Sequence, residues 1–242
     1  MDGLRAAFGL LTVLPVGTGT GEPPARRARV FFPVVGLVTG MVGAVVYAAV
    51  VAAFGGHLLA AILAIGGMVV LTGAMHVDGL ADSADGLFGG GTREARLAIL
   101  ADPRLGTFGT VSIVLVLAGE AAALSALNPA QAAVALVLAG VVSRSALLAL
   151  LGTLPYVRTA GLGHAMVGPP GWVEWAVAAL LVAALLPWDS PRGLLAVVLA
   201  AIAVWGLARL ALTRLGGLTG DVLGAAAELS QLATLLAFAT GR

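Results

Sequence analysis

Residues 30–77 read VFFPVVGLVTGMVGAVVYAAVVAAFGGHLLAAILAIGGMVVLTGAMHV, 48 consecutive positions without an acid, an arginine or a lysine. A helix needs about 20 mostly apolar residues to cross a bilayer, so this run is long enough for two spans. Glycines within it recur at a spacing of four, as in Gly36-x-x-x-Gly40, a pattern typical of closely packed membrane helices. The run therefore predicts a pair of transmembrane helices.

The rest of the chain has the same apolar character. Of the 242 residues, 60% are hydrophobic and 10% are charged, against about 25% charged in soluble domains. We therefore predict an all-α polytopic integral membrane protein in the lipid bilayer, a single domain over residues 1–242 with about seven transmembrane helices. The fifth span is the shortest and is expected to be tilted or re-entrant. The predicted spans are 31–54, 58–75, 105–127, 130–151, 173–187, 193–212 and 222–239.

The first 29 residues are predicted to form an interfacial segment and a linker. Residues 4–16 are too short for a span, and they lack a small-x-small cleavage site before the linker at 17–24. Three arginines between residues 26 and 29 precede the first span, and the positive-inside bias assigns that end to the cytoplasm. Counting spans then places three further segments on the same side, and these hold five further arginines, whereas the opposite side keeps only Arg192 and Arg242. These segments are 76–104, 155–171, which includes Arg158, and 213–221.

Composition also excludes several kinds of chemistry. All 13 basic residues are arginines and the chain has no cysteine, which excludes Schiff-base lysines, Walker-type lysines, disulfides and thiolate sites. The net charge of +1 is spread along the chain and forms no basic stripe, so we expect no nucleic-acid partner. The oligomeric state stays open, and a homo-oligomer is compatible with the sequence.

The strongest chemical signal is HVDGLADSADGLFGGG at residues 76–91. Asp78, Asp82 and Asp85 are spaced four and three apart, which places them on one face of a helix. Like charges on one stripe repel, and a divalent cation would offset that repulsion. Mg²⁺ prefers oxygen ligands and typically uses one or two carboxylates plus substrate phosphates. We predict an Mg²⁺ site in an active-site loop at 76–105; the alternative is a solvated acidic loop at the membrane surface.

Arginines follow the acidic block. Arg93, Arg96 and Arg104 offer guanidinium forks that grip phosphate bidentately, and Asp102 offers a fourth carboxylate. Anchoring at the cytoplasmic surface is the alternative explanation for these arginines. Carboxylates and arginines at one membrane face indicate an Mg²⁺–pyrophosphate site rather than an ion pathway, in which the acids would lie within spans.

A second group of polar residues lies in GGLTGDVLGAAAELSQ, residues 216–231. Asp221 opens the last predicted span, and Glu228 follows seven residues later on the same face. Arg144 and Glu120 lie within the fourth and third spans, and ionisable residues inside membranes are costly and usually functional. The alternative is that Arg144 pairs with one of these acids and only holds helices together.

These blocks resemble the cobalamin synthase family, the adenosylcobinamide-GDP ribazoletransferases. The resemblance covers nearly the whole chain, although Val13 and Gln231 stand where an arginine and an acid are common in the family. The acidic block is also similar to the CDP-alcohol phosphotransferase signature, which is the alternative enzyme. A secondary transporter that uses intramembrane charges as a relay is the non-enzymatic alternative. The residues that carry the resemblance are 8–16, 32–36, 76–91, 102–109, 217–225 and Glu228.

The resemblance implies an enzyme that joins adenosylcobinamide-GDP to α-ribazole, or to its 5′-phosphate, and releases GMP. The implied location is the inner (plasma) membrane, with the active site facing the cytoplasm. Asp78 and Asp82 would hold Mg²⁺, with Asp102 as a further candidate ligand. Asp85 is the candidate base, because it is the acid farthest from the span, beside a glycine turn where an incoming alcohol would approach; Asp82 could exchange roles with it. The candidate substrate-binding residues are His76, Arg93, Arg96, Arg104, Arg144, Asp221 and Glu228.

Overall fold

Helices make up most of the described residues in the computed structural model, which describes residues 2–16, 25–157 and 162–240. Short 3₁₀ segments lead into two of the long helices, and the described residues contain no β-strand, only an isolated bridge between Tyr156 and Leu218. The α-helices are α1 (Asp2–Leu11), α2 (Ala25–Ala28), α3 (Phe32–Phe54), α4 (His57–Leu71), α5 (Met75–Gly89), α6 (Arg93–Ile99), α7 (Thr107–Ser125), α8 (Pro129–Thr153), α9 (Leu162–Met166), α10 (Trp172–Leu185), α11 (Ser190–Leu215) and α12 (Gly220–Ala239).

The helix lengths confirm an all-α, multi-pass membrane protein. In the described part of the chain, five helical segments are long and apolar enough to cross a bilayer: α3 with the residues before it, α7, α8, α11 and α12. The α4–α5 pair is a sixth when the two helices are taken as one bent span. The apolar helix α10 is shorter, as predicted for the fifth span. Each of the seven predicted spans therefore has a helical counterpart.

The prediction is wrong where the second span was expected to continue to residue 75. Helix α4 ends at Leu71, and α5 starts at Met75 after a bend of 90°. Gly73 and Ala74 have φ values of 61° and 58°, a left-handed conformation that cannot continue a right-handed helix. Residues 76–105 are therefore not a loop, because they contain the helices α5 and α6.

The closest helix–helix contact joins α3 to α8. A β-carbon at Gly36 would collide with the carbonyl of Gly140, and one at Gly40 would collide with the carbonyl of Leu136. Only glycine allows the two backbones to approach this far. The glycine pattern of the first span thus has the packing role predicted for it, and α8 becomes one of the most enclosed helices of the bundle.

Hydrogen bonds to residues between the helices show which parts of the bundle lie together. The hydroxyl of Tyr47 donates to the carbonyl of Leu127 at 2.8 Å, which joins α3 to the turn between α7 and α8. In the segment before α12, the backbone of Leu218 donates to Pro155 and accepts from Val157, each at 2.8 Å. This second contact joins two of the segments that the sequence placed on one side of the membrane.

The N-terminal segment forms the predicted short helix, α1, while the linker at 17–24 and Arg158 lie outside the described residues. Arg29 differs from expectation, because it is fully buried rather than a surface arginine. Its Nε lies 3.2 Å from a carboxylate oxygen of Glu174, and it donates to the carbonyls of Met166 and Gly168 at 2.7 and 2.9 Å. Arg29 therefore ties the start of α3 to α9 and α10.

Candidate active site

Helix α5 carries the three aspartates of the acidic block. Their spacing places them on one stripe of the helix, as predicted, but the stripe runs from the surface into the bundle. Asp78 is exposed, Asp82 is half-buried and Asp85 is buried, with 8% of its surface accessible. The three carboxylates therefore have different surroundings.

Asp85 caps the start of α7 from the neighbouring helix. Its two carboxylate oxygens accept hydrogen bonds from the backbone N–H groups of Gly106 and Gly109, at 2.7 and 2.9 Å. These N–H groups belong to the first turn of a helix, which has no acceptors of its own for them. The expectation that Asp85 lies open to an incoming alcohol is therefore wrong. Its assignment as the base stays a prediction, as does the exchange of roles with Asp82.

The same contact explains two glycines in the sequence DPRLGTFG at 102–109. A β-carbon at Gly106 or at Gly109 would collide with the carboxylate of Asp85. Glycine at both positions lets the carboxylate reach the backbone N–H groups directly. The aspartate block and this glycine block are therefore two halves of one structural unit.

The second acidic block reaches α5 through another pair of glycines. A β-carbon at Gly79 would lie 2.8 Å from the carbonyl oxygen of Asp221, and one at Gly224 would lie 3.1 Å from the Cα of Gly79. The α5 and α12 backbones are therefore in direct contact one residue after Asp78. Asp82 follows Asp78 by one helical turn. We call this region the α5/α12 corner; it brings together the two sequence blocks predicted to form one site.

Arginines bind the helix ends around this corner. Arg93 donates through Nε to the carbonyl of Leu215 at 2.7 Å, at the end of α11. Arg96 and Arg214 both donate to the carbonyl of Leu87 near the end of α5, Arg214 at 2.7 Å. Cations at helix C-termini satisfy free carbonyls and complement the helix dipole. The phosphate-binding role of Arg93 and Arg96 stays a prediction, since a guanidinium has five N–H donors and these contacts use few of them.

Asp102 and Arg104 form an exposed ion pair in the loop before α7. The Nε and Nη2 atoms of Arg104 donate to the Asp102 carboxylate, the closest contact being 2.5 Å. These hydrogen bonds lower the pKa of Asp102 to about 2, and Asp102 in turn raises the pKa of Arg104. Both oxygens of Asp102 are thus engaged, so metal ligation by Asp102 would require this pair to separate.

The carboxylates suit a metal ion whose remaining ligands come from a bound substrate. No cluster of three or more histidine and acidic side chains able to hold a metal occurs within residues 2–16, 25–157 and 162–240. Asp78 and Asp82, one turn apart on α5, remain as a two-carboxylate set. Mg²⁺ typically takes one or two carboxylates plus substrate phosphates, so these residues fit Mg²⁺ bound together with a pyrophosphate. The metal itself stays a prediction.

The intramembrane charges lie in the interior of the bundle. Arg144 has 3% of its surface accessible, donates to the hydroxyl of Ser143 at 2.7 Å and interacts electrostatically with Glu228 and Glu120. Gln231 donates to Glu120 at 3.2 Å. These residues lie on α7, α8 and α12. Both a role in substrate binding and the alternative, in which Arg144 pairs with an acid and holds helices together, stay untested.

Comparison with known proteins identifies the family. The family model for cobalamin-5-phosphate synthase matches residues 3–239.

The chain belongs to the cobalamin-5-phosphate synthase family.

Relatives in this family match over nearly their full length. An adenosylcobinamide-GDP ribazoletransferase from Bradyrhizobium diazoefficiens is 39% identical, over 99% of this chain and 95% of the relative. One from Pseudomonas fluorescens is 43% identical, over 96% of this chain and 97% of the relative. No solved structure matches the chain. The predicted family is confirmed, and with it the prediction of a membrane-bound transferase of cobalamin biosynthesis.

The contacts at the α5/α12 corner make the topology of this chain testable. Glu94 and Thr213 are exposed and lie near the contact between Arg93 and Leu215, so cysteines at both positions should face one side of the membrane. Ala130, exposed at the start of α8, should face the other side. We expect an impermeant thiol reagent to label Ala130→Cys in right-side-out vesicles, and Glu94→Cys and Thr213→Cys only after permeabilisation.

The absence of native cysteine removes background from this labelling experiment. The cysteine-free chain is the control. Labelling of Glu94→Cys and Thr213→Cys from opposite sides would contradict the common site, and labelling of both from outside would contradict the cytoplasmic assignment.

Proposed function

We propose that this chain transfers the phosphocobinamide group of adenosylcobinamide-GDP to α-ribazole, or to α-ribazole 5′-phosphate. The products are adenosylcobalamin, or its 5′-phosphate, and GMP. The observation that carries this proposal is the near full-length similarity to adenosylcobinamide-GDP ribazoletransferases. The α5/α12 corner supports it, because it combines carboxylates and arginines, the groups that a transfer at a pyrophosphate requires.

The proposed step exchanges the phosphoanhydride bond of the pyrophosphate for a phosphodiester bond to the ribose. A ribose hydroxyl oxygen of α-ribazole bonds to the phosphorus that carries the cobinamide. The bond from that phosphorus to the bridging oxygen breaks, and GMP leaves with that oxygen. The hydroxyl proton passes to a carboxylate, for which Asp82 is our choice, because it is half-buried on the α5 stripe, one helical turn after the proposed metal ligand Asp78.

Asp78 is the proposed first ligand for Mg²⁺, because it is the exposed carboxylate of the stripe. When bound, a divalent cation neutralises charge on the pyrophosphate and the leaving group. Asp82 is the nearest further ligand and Asp102 a more distant one. The exposed pair of Asp102 and Arg104 is well suited to exchange, because exposed ion pairs contribute little to stability. A substrate phosphate can therefore take the place of Asp102 at Arg104.

We also propose that the site faces the cytoplasm from the inner membrane. The arginines of the α5/α12 corner support this orientation, since positive residues concentrate on the cytoplasmic side. Arg93, Arg96 and Arg214 are all bound at this end of the bundle. Arg214 lies in the last turn of α11, and Arg192 lies near the start of the same helix, at the opposite end of the bundle.

The function is tested by incubating the purified protein in proteoliposomes with adenosylcobinamide-GDP, α-ribazole and Mg²⁺. We expect GMP release that requires α-ribazole and equals the amount of adenosylcobalamin formed. A parallel reaction replaces α-ribazole with its 5′-phosphate, and another offers a CDP-alcohol with a free alcohol acceptor. CMP release without GMP release would select the CDP-alcohol phosphotransferase, and uptake without chemical change would select the transporter.

A further inference from the structure

An apolar pocket lies beside the α5/α12 corner. It has a cavity volume of about 140 Å³, is partly open to the surroundings, and lies between α1, the end of α8 and the starts of α5 and α12. Most of its lining is aliphatic, and the aromatic groups in it are few. Its lining includes Leu151, Met75, His76, Tyr156, Gly220 and Gly224.

The pocket shares its walls with the carboxylates. His76 lies two residues before Asp78 on α5, and Gly220 lies directly before Asp221 at the start of α12. Gly224, in the wall of the pocket, is also the residue at which α12 packs against α5. A ligand in the pocket would therefore lie next to the helical turns that carry the acids.

Open apolar space of this size calls for an occupant. Protein interiors are close-packed, with few voids larger than a water molecule, whereas an apolar cavity of about 150 Å³ can bind a ring of the size of benzene. Ligand pockets typically combine an apolar lining with a few polar groups. Tyr156 and His76 supply polar atoms in this pocket. His76 has 2% of its surface accessible, and neither of its ring nitrogens has a hydrogen-bond partner within the described chain.

We propose that this pocket receives the aromatic base of α-ribazole, so that the attached ribose lies at the carboxylates of the α5/α12 corner. This inference rests on the proposed function and adds the place where the acceptor binds. The base is a flat bicyclic heterocycle that is mostly apolar, which matches the aliphatic lining and the aromatic ring of Tyr156. The corrinoid is a far larger macrocycle with many amide groups, and neither its size nor its polarity matches this pocket.

Gly220 offers a way to fill the pocket without disturbing the fold. A β-carbon at Gly220 would meet only the hydroxyl of Tyr156, at 3.7 Å, which is ordinary contact. We expect Gly220→Leu to raise the KM for α-ribazole by about tenfold or more, the range over which apolar pockets discriminate by size. Equilibrium binding of adenosylcobinamide-GDP should stay at the wild-type value.

The matched control is Gly206→Leu, on the exposed side of α11. A β-carbon at Gly206 meets no atom within 4 Å, and Gly206 does not line the pocket. Met75→Trp is a second pocket variant, because Met75 lines the pocket while 40% of its surface is accessible. It provides an independent test should Gly220→Leu fail to elute as a folded protein in detergent.

A binding measurement separates this inference from the proposed function. The probe is free dimethylbenzimidazole, the base of α-ribazole. It should bind to the wild-type protein and to Gly206→Leu, and its binding to Gly220→Leu and Met75→Trp should be weaker by about tenfold or more. A wild-type enzyme that releases GMP but whose KM for α-ribazole is unchanged by both pocket variants would overturn the inference, leaving a lipid chain as the occupant. Binding of the base without GMP release by wild type would overturn the proposed function alone.

Discussion

Asp78→Asn is expected to reduce GMP release by about 10³-fold or more. The metal supplies several kcal/mol of charge stabilisation in such reactions, and each 1.4 kcal/mol corresponds to a factor of ten in rate. Asp78 is exposed near the start of α5, so its replacement by an amide of the same size removes a charge without creating a cavity. Folding should be unaffected. The wild-type enzyme in excess chelator should show a comparable loss.

The measurement is single-turnover GMP release at several Mg²⁺ concentrations. Glu94→Gln is the matched control, since Glu94 is an exposed acid in the first turn of α6 and has no proposed metal role. It should retain wild-type turnover. Full turnover by Asp78→Asn, or undiminished wild-type turnover in excess chelator, would show that the reaction does not use a metal at this position.

Asp85→Ala is expected to destabilise the protein by about 2–5 kcal/mol. Its carboxylate accepts two backbone N–H bonds in a buried position, and a hydrogen bond to a charged group contributes about 1.5–3 kcal/mol. The alanine variant leaves two N–H groups without an acceptor at the start of α7. Asp85→Asn should lose less, because its amide oxygen still accepts one of the two bonds.

Thermal unfolding in detergent, followed by circular dichroism, measures this effect. Thr92→Ala is the control, because Thr92 caps α6 through one exposed hydrogen bond, and loss of such a cap costs about 0.5–2 kcal/mol. Its transition should shift by less than that of Asp85→Ala. An Asp85→Ala variant with wild-type stability, normal binding of adenosylcobinamide-GDP and no GMP release would instead identify Asp85 as the base.

The sequence predicted those features that depend on local periodicity. The long apolar runs predicted the helices, and the spacing of Asp78, Asp82 and Asp85 predicted that all three lie on one face of α5. Gly36 and Gly40 also behaved as expected, because their role depends on a spacing that recurs along one helix face. The family was predicted from the resemblance of the motifs, because periodicity alone does not indicate a family.

Features that depend on distant contacts were not predicted. The bend after Leu71 lies inside a continuous apolar run, and only the backbone conformation of Gly73 and Ala74 shows it. Asp85 was placed at an open edge because its partners, Gly106 and Gly109, are more than 20 residues away in the chain. The glycines of 102–109 were the available signal, since they permit a close approach to backbone N–H groups.

The central claim is that the α5 carboxylates carry out GMP release, with Asp78 holding the metal and Asp82 accepting the proton. It is tested most directly by measuring, on Asp82→Asn, both equilibrium binding of adenosylcobinamide-GDP in Mg²⁺ and single-turnover GMP release with α-ribazole. We predict nearly unchanged binding and a rate lowered by about 10²–10⁴-fold, the usual contribution of a general base. Wild-type GMP release by Asp82→Asn, or loss of Mg²⁺-dependent binding as complete as in Asp78→Asn, would contradict this division of roles.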